Sequence, residues 1–184
     1  MTRIVGGVAK GRRLGVPARG TRPTSERARE ALFSSLAALV ELDGARVLDL
    51  FAGSGAVGLE ALSRGARAVT FVESDRHAYD VLRHNIDVVG LDGAEAHRRL
   101  AATHLVGGSD EPYDLVFADP PYALGEEQLG ALLSVLAAPH WLADGAVVVV
   151  ERSARGVAPQ WPDTIEAVQQ KRYGEGVLWY GRRR

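Results

Sequence analysis

Cysteine is absent from the 184 residues, which excludes disulfides, thiolate metal sites and cysteine nucleophiles and leaves the redox compartment undetermined. Lysine is nearly absent too: 20 of the 22 basic side chains are arginine, whose planar donor fork suits phosphate and base edges better than a point charge. No apolar run approaches the roughly 20 residues needed to cross a bilayer, and the opening MTRIVGGVAKGRR holds no apolar segment of signal-peptide length. A soluble, cytoplasmic protein of one domain with a small appendage is expected. Of the five histidines only His77 and His84 fall seven apart on one predicted helix, and their charged neighbours predict a solvated surface, so no metal site is expected.

The charge that is present lies unevenly. Residues 1–30 hold eight basic and two acidic side chains and residues 171–184 five and one, while the middle holds nine basic and twenty acidic, for a net −1. An acidic body with basic ends points to a polyanion partner, with Arg3, Lys10, Arg12, Arg13, Arg19 and Arg22 gripping phosphates. Solvated basic tails are the bland alternative.

Residues 3–19 are rich in glycine and arginine, with β-prone pieces at Ile4–Val5 and Leu14–Val16, and predict an exposed hairpin arm outside the core. The expected division is an arm over 1–22 and a main domain over 23–184. Thr24 or Ser25 can cap a helix in which Leu32, Leu36 and Leu39 recur at helical spacing as far as Val40. Short apolar runs then alternate with amphipathic stretches, the pattern of βα units around a parallel sheet. The runs are Val47–Phe51, Ala68–Glu73, a short one near Ala94–His97, Asp114–Ala118 and the β-branched Ala146–Glu151. Helices are expected through Leu59 and Leu62, through Tyr79, Leu82, Ile86 and Val89, and across 126–137. The link between Thr164–Arg172 and Val177–Gly181 is too short for a crossover, so these pair as an antiparallel hairpin. The expected fold is α/β: about seven strands, mostly parallel, with an antiparallel C-terminal hairpin and a small N-terminal hairpin arm.

Gly53, Gly55 and Gly58 match G-x-G-x-x-G directly after a strand, and Glu73 stands twenty residues past the first glycine. Glycines let the backbone approach a ligand, and a carboxylate ending the next strand accepts ribose hydroxyls. The pattern does not separate a nicotinamide dinucleotide from S-adenosylmethionine, since both carry that ribose. Asp49 does separate them, because a carboxylate at the mouth of the first strand repels a pyrophosphate and favours the ammonium and sulfonium end of S-adenosylmethionine.

Asp119-Pro120-Pro121-Tyr122 follows the fourth strand, where ligands bind in open α/β sheets. Two prolines make a stiff turn that can aim the Asp119 carboxylate and the Pro120 carbonyl at the hydrogens of an exocyclic amine, with Tyr122 stacked on its ring. Accepting those N–H bonds localises the amine lone pair toward the methyl carbon, and Asp119 can take the departing proton. No metal is required. Trp141, Trp161 and Trp179 are expected as packing residues, and Tyr173 with Lys171 and Arg172 would reach RNA only if that hairpin faced the active cleft.

The segments DLFAGSGAVGLEALSRGA, VESD and DPPY resemble class I S-adenosylmethionine-dependent methyltransferases that act on exocyclic amines. RIVGGVAKGRRL followed by RPTSERAREALFSSL resembles the RsmD family of 16S rRNA (guanine-N2)-methyltransferases, and the resemblance spans essentially the whole chain. It implies a Rossmann-like class I methyltransferase fold, S-adenosylmethionine as cofactor and one guanine of 16S rRNA as substrate, within a 30S subunit or assembly intermediate. It further implies that Asp49, Phe51, Ala52, Gly53, Ser54, Gly55 and Gly58 shape the methionine and ribose pocket. Glu73 and Ser74 would hold the ribose, and Thr24 would close over the cofactor. Asp119, Pro120, Pro121 and Tyr122 would hold the guanine amine, and Arg98 or Arg99 would lie near the adenine edge. A monomer is expected. The competing readings are an adenine-N6 methyltransferase on DNA or RNA, a non-catalytic assembly factor and, behind both, a nicotinamide-dependent dehydrogenase.

Overall fold

The structure, a computed structural model, describes residues 1–18 and 25–184; Arg19, Arg22 and Thr24, three of the anticipated functional residues, lie outside the described residues. Two short antiparallel strands, β1 (Thr2–Arg3) and β2 (Arg13–Leu14), open the chain. Helix α1 (Glu26–Leu36) starts where Ser25 Oγ accepts the Ala28 amide at 3.1 Å. It stops short of Val40 because Ala38 and Leu39 bond back to the carbonyls of Ser35 and Leu36, winding the last turn tighter. Strand β3 (Arg46–Leu50), α2 (Ala56–Ser63), β4 (Ala68–Glu73), α3 (Arg76–Val89) and β5 (Ala94–Arg98) follow as alternating βα units. Asp75 caps α3, and Gly90 ends it at φ 60°.

Next comes α4 (Ala101–Val106), which the sequence did not announce: six residues are too few for a periodic signal, and only Ala101 and Leu105 face inward. The chain closes with β6 (Tyr113–Ala118), α5 (Glu126–Leu136), β7 (Leu142–Ser153), β8 (Ile165–Tyr173) and β9 (Gly176–Arg183). Seven strands form one sheet in the order β5-β4-β3-β6-β7-β9-β8. The first five lie parallel, and β9 runs antiparallel between β7 and β8. Side-chain alternation splits the core: Val47, Phe71, Phe117 and Val149 pack toward α1, α2 and α3, whereas Leu48, Leu50, Val148 and Val150 pack toward α4, α5 and Trp141. Among the described residues no helix is long and apolar enough to cross a membrane.

The N-terminal segment corrects the expectation of an arm outside the core. Ile4 and Leu14 are 1% and 0% exposed and belong to the same cluster as the first three helices. Its glycines and arginines hide this in the sequence, because so few of its side chains are the ones that turn inward. Glu60 on α2 fastens it, accepting the amides of Val5 at 2.8 Å and Gly6 at 2.7 Å while pairing with the buried Arg29 at 3.8 Å. Arg29 in turn donates to the Arg3 carbonyl at 2.6 Å. Burial lowers the Arg29 pKa and Glu60 counters it. Glu60→Ala should therefore destabilise the protein by about 3–5 kcal/mol, because it removes the counter-charge of a buried guanidinium and the acceptor of two amides. Denaturant unfolding reads the loss, and limited trypsin digestion should cut at Lys10, Arg12 and Arg13 first; wild-type stability and cleavage rates would refute the docking role.

Candidate active site

Asp49, near the end of β3, is 1% exposed, and its Oδ2 accepts the Gly58 amide from the first turn of α2 at 3.0 Å. Two residues on, Phe51 takes φ 60°, the only positive φ of a non-glycine among the described residues. Such a backbone costs of order 1–3 kcal/mol and marks a site where the surroundings impose it. Here it turns the chain out of the sheet into the glycine loop, where Ala52 N–H bonds the Val72 carbonyl and Gly55 N–H bonds the Ala52 carbonyl. A Cβ on Gly58 would come within 2.3 Å of the Phe71 ring, so this glycine lets α2 sit close enough to the sheet to reach Asp49.

Glu73 closes the next strand. Its Oε2 accepts the Gly53 amide and its Oε1 the Asp75 amide, both at 2.8 Å, which fixes the carboxylate beside the loop. With the Gly53 amide turned to a carboxylate, the loop has one donor fewer for a pyrophosphate, and this argues against a dinucleotide. Ser74 is exposed beside it, and Ser54 is buried within the loop. Arg98 stands opposite Glu73 across β4 and β5, and the Arg99 amide bonds the Glu73 carbonyl at 3.1 Å, so both arginines lie beside Glu73.

Asp119 follows β6, its amide 3.4 Å from the Leu50 carbonyl. Pro120 is buried, while Pro121 accepts the Leu124 amide at 2.9 Å and so closes the turn. Tyr122 stands 73% exposed at the mouth of the turn. Asp49, Glu73 and Asp119 thus lie at or next to the carboxyl ends of β3, β4 and β6, and Glu151 lies level with Asp119 on the neighbouring β7. Burial pushes the Asp49 carboxyl up to about 8, the Gly58 hydrogen bond opposes this, and Glu73 adds to it. Asp119 is also raised well above the carboxylate range, by burial first and then by Glu151 and Asp49, against the pull of Arg152. Burial among other carboxyl groups thus raises the proton affinity of Asp49 and Asp119, an environment in which a nearby positive charge is favoured.

Two residues that hold the site show only as polar interruptions of apolar helix faces in the sequence. Glu60 is one. Asn85 on α3 is the other: fully buried, it exchanges hydrogen bonds with the Gly15 amide and carbonyl at 2.7 and 3.0 Å and donates to the Ser54 carbonyl at 2.8 Å. It ties the N-terminal segment to the glycine loop. Of the expected phosphate-gripping residues, Lys10 and Arg13 are exposed, Arg3 pairs with Glu26 at 3.1 Å, and Arg12 caps α3 through the carbonyls of Val88 and Val89. Trp141 is core, as expected, and among the described residues no group of three or more His, Asp or Glu side chains is arranged for a metal ion.

Because Asp49 keeps its proton to about pH 8 only in the folded, cation-free protein, its affinity for a cationic ligand rises by up to about tenfold per pH unit below that point and levels off above it. The same linkage makes the free protein lose stability as pH rises from about 4 toward 8, since there the unfolded chain has shed a proton that the fold retains. Asp49→Asn should flatten both profiles, raising the Tm of the free protein at about pH 8 while weakening S-adenosylmethionine binding. Calorimetric titration and thermal scans over that range are the check, and a wild-type affinity independent of pH would refute the assignment.

The comparisons agree with this fold. Residues 2–182 match the family described as "Conserved hypothetical protein 95". The chain is 38% identical to ribosomal RNA small subunit methyltransferase D of Escherichia coli K12 over 174 residues, 94% of this chain and 85% of that protein. It is 35% identical to the Haemophilus influenzae protein of the same name, over 81% of this chain and 77% of the relative. A solved structure from Escherichia coli covers 98% of this chain and 97% of its own at 37% identity, with a TM-score of 0.84. The magnesium protoporphyrin IX methyltransferase of Synechocystis, solved with bound S-adenosylmethionine, shares the fold at 14% identity, with a TM-score of 0.67 over 86% of this chain and 79% of its own. The α/β fold, the glycine loop and the length of the match all lead to one assignment: the chain belongs to the RsmD family of methyltransferases.

Proposed function

We propose that this methyltransferase uses S-adenosylmethionine to methylate the exocyclic N2 amine of one guanine in 16S ribosomal RNA. It acts as a cytoplasmic monomer on the 30S subunit or an assembly intermediate. The observation that carries the reading is the pairing of a buried acidic row, Glu73 to Asp49 to Asp119, with an exposed aromatic, Tyr122, on the stiff turn at its end. Curated relatives named small subunit rRNA methyltransferase D supply the substrate class.

The cofactor supplies a methyl group made electrophilic by a sulfonium. Glu73, held by two backbone amides, offers the remaining lone pairs of its carboxylate to the ribose hydroxyls. Asp49 gives up its proton as cationic groups arrive and then balances their charge at short range. Asp119 and the Pro120 carbonyl accept the two hydrogens of the guanine amine, while Tyr122 stacks on the base that has been turned out of the RNA. This aligns the nitrogen lone pair with the methyl carbon, so that much of the rate comes from positioning. The new C–N bond would form as the methyl–sulfur bond breaks with its electron pair left on sulfur, and Asp119, having released its own proton once positive charge is bound beside the acidic row, would accept the proton that the amine sheds.

Asp119→Ala should keep S-adenosylmethionine binding and lose about 10²–10⁴-fold in turnover. The assay is tritiated methyl transfer to 30S particles that lack the modification, with the product digested to nucleosides. N2-methylguanosine from wild type and none from the variant is the expected result. N6-methyladenosine would move the assignment to the adenine amine, and undiminished transfer by the variant would remove Asp119 from the chemistry.

A further inference from the structure

The basic C-terminal hairpin takes no part in the site described so far, yet its position brings it close. Strand β9 runs antiparallel to β7 with Gly176 opposite Ser153 and Val177 opposite Arg152, so the Tyr173–Gly176 turn stands at the same sheet edge as Asp119. A cleft of about 490 Å³ lies there, lined by Ala154, Gly156, Gln170, Arg172, Val177 and Trp179. The strand register assembles it. Gln170 faces Trp179, Arg172 faces Val177, and residues two apart on a strand share a face. Trp179 also lies opposite Val150, which places this group on the α5 side of the sheet. One side chain links the cleft to the amine-binding turn. Arg152, 7% exposed and opposite Val177, donates to the Leu124 carbonyl at 2.9 Å and to the Glu126 carboxylate at 3.1 Å, just beyond Tyr122.

We propose that this cleft is a second nucleotide site, which takes an unpaired RNA nucleotide next to the one turned into the Asp119 pocket; this rests on the RNA reading above. Its volume falls within the roughly 300–1,000 Å³ of small-ligand sites. Its residues divide the work that a single-stranded nucleotide requires. Trp179 offers a ring for stacking, which any base can use. Gln170 offers both an amide donor and a carbonyl acceptor to a base edge. Arg172, exposed and tied to the turn through its Nε bond to the Gly174 carbonyl at 3.3 Å, offers positive charge to a phosphate. None of the described residues that line the cleft is a carboxylate, in contrast to the acidic row along β3, β4, β6 and β7. The edge is therefore divided into an acidic part suited to a cation and a basic, aromatic part suited to a polyanion. An enzyme that extrudes one base must also hold the strand on at least one side of it, and the cleft lies where that strand would leave Tyr122.

The test compares wild type, Trp179→Ala and Arg172→Gln in methyl transfer to 30S particles lacking the modification. Alongside it, a fluorescently labelled single-stranded RNA carrying the target sequence is titrated against each protein. For Trp179→Ala the KM for particles and the Kd for RNA should both rise about 5- to 100-fold, the range expected for one lost base stack, with kcat and S-adenosylmethionine affinity retained. Arg172→Gln should weaken RNA several-fold and reduce the slope of log affinity against log salt by about 0.7, the mark of one lost phosphate contact. If Trp179→Ala does not fold, the exposed Arg172→Gln decides alone. Unchanged KM and Kd in the variants overturn the proposal, as does a raised particle KM with unchanged RNA affinity, which would put a ribosomal protein in the cleft. If wild type transfers no methyl to any RNA, the functional reading fails separately. The labelled-RNA titration still decides the cleft, and equal affinities overturn it.

Discussion

Four carboxyl groups brought to the ends of four adjacent strands set the terms for the rest of the structure. A parallel sheet places the carboxyl ends of its strands on one edge, and Asp49, Glu73, Asp119 and Glu151 occupy that edge together. Buried like charges cannot all ionise, so the free protein holds protons on Asp49 and Asp119 that an exposed carboxylate would have lost. The fold bears this strain because backbone amides from the glycine loop and α3 are aimed at Asp49 and Glu73 before any ligand arrives. The methyl-transfer chemistry and the marginal electrostatics of the free protein thus have the same physical origin.

The amides can be aimed in advance only if the loop that carries them is rigid, and the N-terminal segment contributes to that rigidity. Asn85 joins Gly15 to Ser54, Glu60 joins Val5 and Gly6 to α2, and Arg12 covers the last carbonyls of α3. Each contact made by the N-terminal segment itself spans more than fifty residues of chain and meets an element that frames the glycine loop. A segment with few apolar side chains is thereby held as firmly as a core element, and some of its arginines are spent on structure before any are available to RNA.

Much of this was legible in the sequence, and the failures have definite causes. The strands ending at Glu73 and Ala118 and the face of α3 were readable because their apolar periodicity is long and clean. The α4 helix was not, since its six residues carry only two inward positions. The N-terminal arm read as exposed because composition averages over side chains, whereas burial depends on where Ile4 and Leu14 happen to point. Glu60 and Asn85 appeared only as polar breaks in apolar faces, a signal that gives neither partner nor role until the chain is folded.

The local geometry of the candidate site was written in the sequence: a glycine loop after a strand, an acid at the end of the next strand, and a stiff acidic turn with an aromatic at its tip. Each needs only residues within a few positions of one another, and short-range backbone geometry is fixed by short-range sequence. The pairing of those pieces was not local. Only the tertiary structure decided that the four acids line one edge, that the arm braces the loop and that the basic hairpin opens onto the same edge as Asp119. Strand order and burial arise from contacts between residues far apart in the chain, and neither composition nor spacing records them.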